Sequence, residues 1–334
     1  MLTWRMIVPQ YWAEARLQKR TPGRQVTIRR FGWSDVSEAE AQALATARAE
    51  EALTRILAGD DAIQRRDRKV AYNGADGVPI REEILSRHGG TIITRNSYGA
   101  QCLNTPNVLF ADVDVSTSPA LRLSMVWGLV LLLVAVATGF VRFATRPVDV
   151  GTLVLCLLYF SMAVFLCHQV LKLLLRLTGG PKPWALRRIK RFAKAHADWT
   201  LRIYETPAGY RVLVLHAVFD PTSEVTNACF KQLRTDVVYR RMCARQRCFR
   251  ARLTPKPWRI GLERLRPRPG IWPINPLKLA ERQQWVTRYE NTSRSFVACR
   301  FIEQLGNAPA HPEALAVQVL HDELCRADAD LPLA

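Results

Sequence analysis

Two stretches interrupt an otherwise mixed pattern of apolar and polar residues. From Leu123 to Val141 there is no charge for 19 residues, LSMVWGLVLLLVAVATGFV, and from Val150 to Leu171 none for 22, VGTLVLCLLYFSMAVFLCHQVL. At a rise of about 1.5 Å per residue, either run is long enough to cross a hydrocarbon core of about 30 Å. Two such runs joined by eight residues predict a transmembrane hairpin rather than a pair of buried core helices. After the second run come Lys172, Arg176, Lys182, Arg187, Arg188, Lys190, Arg191 and Lys194, with no acid before Asp198. The positive-inside rule then places both flanks in the cytoplasm, as expected of a bacterial inner (plasma) membrane protein with the lipid bilayer as a partner. The opening MLTWRMIVPQYW has neither a long apolar run nor a small-residue cleavage site, so no signal peptide is expected.

Outside the hairpin the periods change. RQVTIRRF, Arg24–Phe31, reads as a strand, and Ser37 to Leu57 as a helix with Asp35 or Ser37 as N-cap and Gly59 as the stop. The turn-rich Tyr72–Pro79 precedes a short helix ending near His88, then three strand-like runs follow: Thr91–Arg95, Gly99–Leu103 and Asn107–Val115. Their spacing predicts an antiparallel meander. Beyond the hairpin, Pro183 to Ala197 reads as a basic amphipathic helix. Leu201–Glu205, the turn Thr206–Gly209 and Tyr210–Phe219 form a β-hairpin, and Asp220-Pro221-Thr222 opens a helix to about Gln232. A strand-like CFRARL, Cys248–Leu253, and two closing helices at Leu279–Leu305 and Pro312–Arg326 complete the chain.

The expected fold class is therefore α+β: a mixed or antiparallel sheet with flanking helices, interrupted by the two-helix transmembrane hairpin. Residues 1–122 form the N-terminal half, 123–171 the hairpin, and 172–334 a basic half that completes the same sheet. Neither half has an obvious sheet of its own large enough to be stable.

Charge is distributed unevenly. The chain carries 48 Lys and Arg against 29 Asp and Glu, a net +19. Residues 1–122 contribute 17 basic and 14 acidic residues, while residues 172–334 contribute 29 and 14. Within 231–268, 13 basic residues face only Asp236 and Glu263. Such a field points to anionic lipid, or to nucleic acid or a nucleotide, as partner of the C-terminal half. Arg245, Arg247, Arg250 and Arg252 supply guanidinium forks suited to phosphate, and Arg95 lies in a polar turn-like segment that could join them. Phe249 and Trp258 lie close by in sequence, and aromatic rings can stack bases. The eight cysteines are scattered. Cys243 and Cys248 have no second pair, so free thiols in a reducing compartment are expected rather than a zinc ribbon.

Candidate chemistry sits in NVLFADVDV, Asn107–Val115, where an apolar strand ends in two carboxylates. Strand alternation points Asp112 and Asp114 to one face, where Mg²⁺ or Mn²⁺ bridging substrate phosphates would relieve their repulsion. His216, in the second strand of the β-hairpin, is the candidate for proton transfer or phosphate contact. Asp220 is explained as a helix cap. No P-loop, G-x-G-x-x-G, H-E-x-x-H or G-x-S-x-G is present.

A D-x-D ending a strand, followed by a β-hairpin with a histidine, resembles the catalytic core of archaeo-eukaryotic primases. That resemblance implies Asp112 and Asp114 as metal ligands and His216 as the nucleotide contact. RNSYGAQCLNTPNVLFADVD and RMCARQRCFRARLTPKPWRIG also look like stretches of uncharacterised bacterial two-span membrane proteins. Two functions follow as expectations: a metal-dependent domain acting on or binding a nucleotide or nucleic acid, or a non-catalytic scaffold whose basic face holds anionic lipid.

Overall fold

The computed structural model describes residues 8–21, 24–60, 62–67, 69–70, 74–75, 78–115, 126, 128, 130, 133, 150–177, 181–268, 270 and 272–334. Strands β1 (Tyr11–Thr21) and β2 (Arg24–Ser34) pair antiparallel over eleven positions, from Tyr11 opposite Ser34 to Thr21 opposite Arg24. Helix α1 (Glu38–Leu57) lies on this ribbon, and the Ser37 side chain caps it by accepting from the Glu40 amide. Its buried face is Ala41, Ala45, Ala49, Ala52 and Ile56. Small side chains let the backbones approach closely. A Cβ at Gly32 would meet the Ala41 carbonyl oxygen at 2.1 Å, so β2 needs glycine there. Ala15, Val26 and Ile28 complete the apolar cluster.

After the short pair β3 (Lys69–Val70) and β4 (Gly74–Ala75) come β5 (Glu83–His88), β6 (Thr91–Arg95), β7 (Gln101–Thr105) and β8 (Phe110–Asp114). Later in the chain are β9 (Leu201–Thr206), β10 (Gly209–Val214), β11 (Phe249–Arg252) and β12 (Arg300–Leu305). They build two four-stranded sheets, ordered β11-β7-β6-β5 and β12-β9-β10-β8. Each sheet thus combines strands from before and after the inserted segment. The first sheet is antiparallel throughout, and β9 pairs antiparallel with both β10 and β12. Helices α4 (Glu224–Leu233) and α5 (Val237–Gln246) follow β10. From α5, the Tyr239 hydroxyl donates to the Phe110 carbonyl of β8 and accepts from the Arg250 amide of β11, tying one sheet to the other. Helices α6 (Leu279–Ser293) and α7 (Pro312–Cys325) flank β12 in sequence.

The chain divides into two units, residues 1–113 with 192–334, and residues 114–191. The second contains α2 (Val150–Leu177) and most of α3 (Pro181–Ala195). Along α2, Val154, Leu158, Met162, Phe165, Leu166, Val170 and Leu173 are exposed.

The expected transmembrane hairpin is overturned. Among the described residues no helix is long and apolar enough to cross a membrane. Of the first run only Val126, Gly128, Val130 and Leu133 are described, and the rest of that expectation lies outside the described residues. The inner-membrane location with both termini cytoplasmic falls with the hairpin on which it rested.

Two elements also change type. The segment after Pro79 is the strand β5, not a helix, because its backbone pairs with β6 from Glu83 opposite Arg95 to His88 opposite Thr91. The expected helix Leu279–Leu305 ends at Ser293, and its last six residues form β12 against β9. The meander is limited to β5, β6 and β7, since β8 leaves to join β10. Half of the turn at Tyr72–Pro79 lies outside the described residues, as does the whole eight-residue connection between the two apolar runs.

Candidate nucleic-acid interface and the polar core behind it

The arginines singled out by sequence separate into two groups. Arg250 and Arg95 are buried, at 5% and 4% exposure. Arg250 Nη2 is paired with Glu82, which is itself buried and also accepts from the Thr94 hydroxyl at 2.6 Å. Arg95 Nη2 donates to Glu290 at 2.6 Å and Nη1 to the Gly99 carbonyl at 3.2 Å, while its Nε lies 3.5 Å from Glu83. Glu83 in turn accepts from Arg282 at 2.6 Å. These guanidiniums are themselves buried, Arg250 against the buried Glu82 and Arg95 against the partly exposed Glu83 and Glu290, and present nothing to a polyanion. Arg252 is half-buried on β11.

Arg245 and Arg247 lie at the surface where α5 ends. Arg247 is its C-cap, in the left-handed region at φ 48°. Arg241, Arg234 and Lys231 are exposed on α5, at the α4 C-cap and in the last turn of α4. Four residues of β11, about 13 Å of strand at a rise of about 3.3 Å per residue, lie in the chain between this group and a second one further on.

That second group surrounds Trp258, in the 3₁₀ turn Pro257–Arg259. Pro257 is buried and fixes the turn, while the indole is 45% exposed. Tyr98 braces it edge-on, with ring centroids 5.3 Å apart. Two cations lie over the ring: the Arg264 guanidinium 5.2 Å and Lys256 Nζ 5.6 Å from its centre. Tyr98 sits in the β6–β7 turn, where the Asn96 side-chain oxygen accepts from the amides of Tyr98, Gly99 and Ala100. Gly99, at φ 107°, is required there, since a Cβ would meet the Trp285 ring at 2.1 Å. The Leu265 amide donates to the Tyr98 carbonyl at 3.1 Å, fastening the loop that carries Arg264 onto this turn. Sequence reading noted Trp258, with Phe249, as an aromatic near the arginines that could stack a base. Its bracing by Tyr98, 160 residues earlier in the numbering, had no local signal.

Comparison with known proteins finds nothing: no protein-family profile, no curated protein and no solved structure matches the chain. The functional reading therefore rests on the geometry alone.

The remaining predicted site residues are held by separate partners. Asp112 accepts from Arg211 Nε at 3.1 Å. Arg211, on β10, is 1% exposed and also donates Nη1 to the Arg252 carbonyl at 2.9 Å and to His321 Nε2 at 3.2 Å. Burial works against its charge, but the Asp112 carboxylate and the neighbouring thiols outweigh it and raise the guanidinium above its ordinary value. Asp114 is exposed at the end of β8. His216 lies beyond the end of β10, which stops at Val214, so strand alternation does not apply to it. Its ring packs against Trp199 at 4.7 Å and Phe219 at 5.6 Å. Burial lowers its pKa, with Asp198 acting in opposition. Asp220 accepts from the Thr222 amide at 2.8 Å, and Ser223 is the N-cap of α4.

Behind Arg211 lies a cluster that sequence reading missed. Cys299, His321 and Cys325 are all buried, with ligand atoms within 4.8 Å of one another. Hydrogen bonding from Cys325 holds the Cys299 thiol well below the ordinary range, while burial pushes Cys325 up. The signal available was the four-residue spacing of His321 and Cys325, which puts both on one face of a helix.

Proposed function

We propose that this chain is a binding protein for single-stranded nucleic acid, contacting bases through Trp258 and phosphates through the exposed cations on either side of β11 in the chain. The observation that carries it is the indole itself, 45% exposed yet braced by Tyr98, with Arg264 and Lys256 over its ring. A large apolar ring held at the surface beside cations is suited to a partner that is flat, apolar on its faces and anionic at its edge. Bases joined by phosphates meet that description. Stacking on a fixed aromatic ring is sequence-tolerant and worth about 1–3 kcal/mol per base. Arg245, Arg247, Arg241 and Arg234 would add salt-sensitive contacts to the backbone.

Binding, rather than reaction, is the part this arrangement supports. The Mg²⁺ or Mn²⁺ expected at Asp112 and Asp114 has a competitor at Asp112, where Arg211 already supplies the opposite charge. Fluorescence anisotropy with labelled single-stranded DNA and RNA tests the proposal. Trp258→Ala should weaken binding about 5- to 150-fold, the equivalent of one stacked base. Unchanged oligonucleotide affinity in Trp258→Ala, or binding to anionic vesicles but not to oligonucleotides, would sink it.

A further inference from the structure

We propose that Cys299, His321 and Cys325 form a buried site for a soft divalent ion, zinc(II) before others. The three donors come from the residue preceding β12 and from two positions one helical turn apart on α7. Their spacing already fits an ion. Tetrahedral zinc, with Zn–S of about 2.3 Å and Zn–N of about 2.05 Å, sets a sulfur-to-nitrogen edge of about 3.6 Å. His321 Nε2 lies 3.5 Å from Cys325 Sγ and 3.8 Å from Cys299 Sγ.

The surroundings orient the ligands as metal sites require. His321 Nδ1 donates to Asp322 Oδ1 at 3.0 Å, which fixes the tautomer and turns the Nε2 lone pair toward the two sulfurs. Asp322 is held by the Tyr204 hydroxyl at 2.5 Å and by Arg202 at 2.9 Å. Without an ion, the lone pair accepts from Arg211 Nη1. On loading, Arg211 gives up that bond and keeps Asp112. The Arg252 carbonyl, 3.8 Å from Cys325 Sγ, or a water molecule takes the fourth position.

Charge closes as well. Two thiolates neutralise the ion, Arg202 neutralises Asp322, and Arg211 neutralises Asp112. Full burial of all three ligands makes the site a structural clamp between α7 and the start of β12.

The test is a cobalt(II) titration of the full-length chain after treatment with chelator, followed by displacement with zinc. The expected result is one equivalent bound, with a thiolate-to-cobalt charge-transfer band and tetrahedral ligand-field bands. Cys299→Ser and Cys325→Ser should each weaken that band, Cys243→Ser should leave it intact, and Asp322→Asn should lower affinity about 10- to 100-fold at the same stoichiometry. X-ray absorption on the zinc-loaded wild-type chain gives a reading independent of how the variants fold, and two sulfurs with one imidazole are expected. A folded wild-type chain that takes up no cobalt, a charge-transfer band that survives the double serine variant, or a shell without two sulfurs would overturn the site.

Discussion

Arg250 and Arg247 are three residues apart, and they lead opposite lives. Arg250 points from β11 into the fold, where Glu82 meets it. Arg247 caps α5 at the surface. Both come from the same basic run, in which local acids are nearly absent. What separates them is a carboxylate 168 residues away in the chain, delivered by folding. Arg95 follows the same rule with Glu290, 195 residues distant. A charged run therefore states how many cations a segment carries, and the tertiary fold decides which of them remain for a partner.

The largest effect that would break this contrast is removal of the buried acid. Glu82→Ala leaves Arg250 in the interior without its counter-charge and should cost about 3–5 kcal/mol in denaturant unfolding. A loss below about 1 kcal/mol would mean that Arg250 reaches solvent. Asp112→Asn should cost less, about 2–3 kcal/mol, because its carboxylate is partly exposed while Arg211 is not. Thermal or urea melts of the pair would rank them. At the small end, Arg245→Ala with Arg247→Ala should change stability by less than about 0.5 kcal/mol for each substitution. The same double substitution should lower oligonucleotide affinity, and flatten its dependence on log salt by about 1.4, twice the single-strand slope of about 0.7 per phosphate contact. An unchanged slope would remove these two arginines from the interface.

Legibility followed locality. α1 with its Ser37 cap, the β9–β10 hairpin, β11 and α7 all carry their reasons within a dozen residues, and all formed close to where the sequence placed them except that β10 stops at Val214 instead of Phe219. β5 and β12 do not. REEILSRH has the composition of a helix, and pairing with β6 overrides it, while β12 becomes a strand because β9 offers a ladder. The site divides in the same way. Arg245 and Arg247 were readable as surface cations, but Arg250 and Arg95 were not readable as interior ones. The Cys299, His321 and Cys325 cluster escaped because its third member is 22 residues from the helical pair. The transmembrane hairpin was the expectation with the strongest pattern behind it, and among the described residues no helix is long and apolar enough to cross a membrane.

The sheet β12-β9-β10-β8 has a consequence in time. Its first strand in the chain is β8, and the Arg211 that neutralises Asp112 follows 99 residues later. At about 5–20 residues per second, a ribosome would need about 5–20 s to supply it. For that interval the nascent chain carries an edge strand without its neighbour and an acid without its base. Synthesis thus passes through a window in which a holdase chaperone has something definite to cover, and the window closes when β10 emerges.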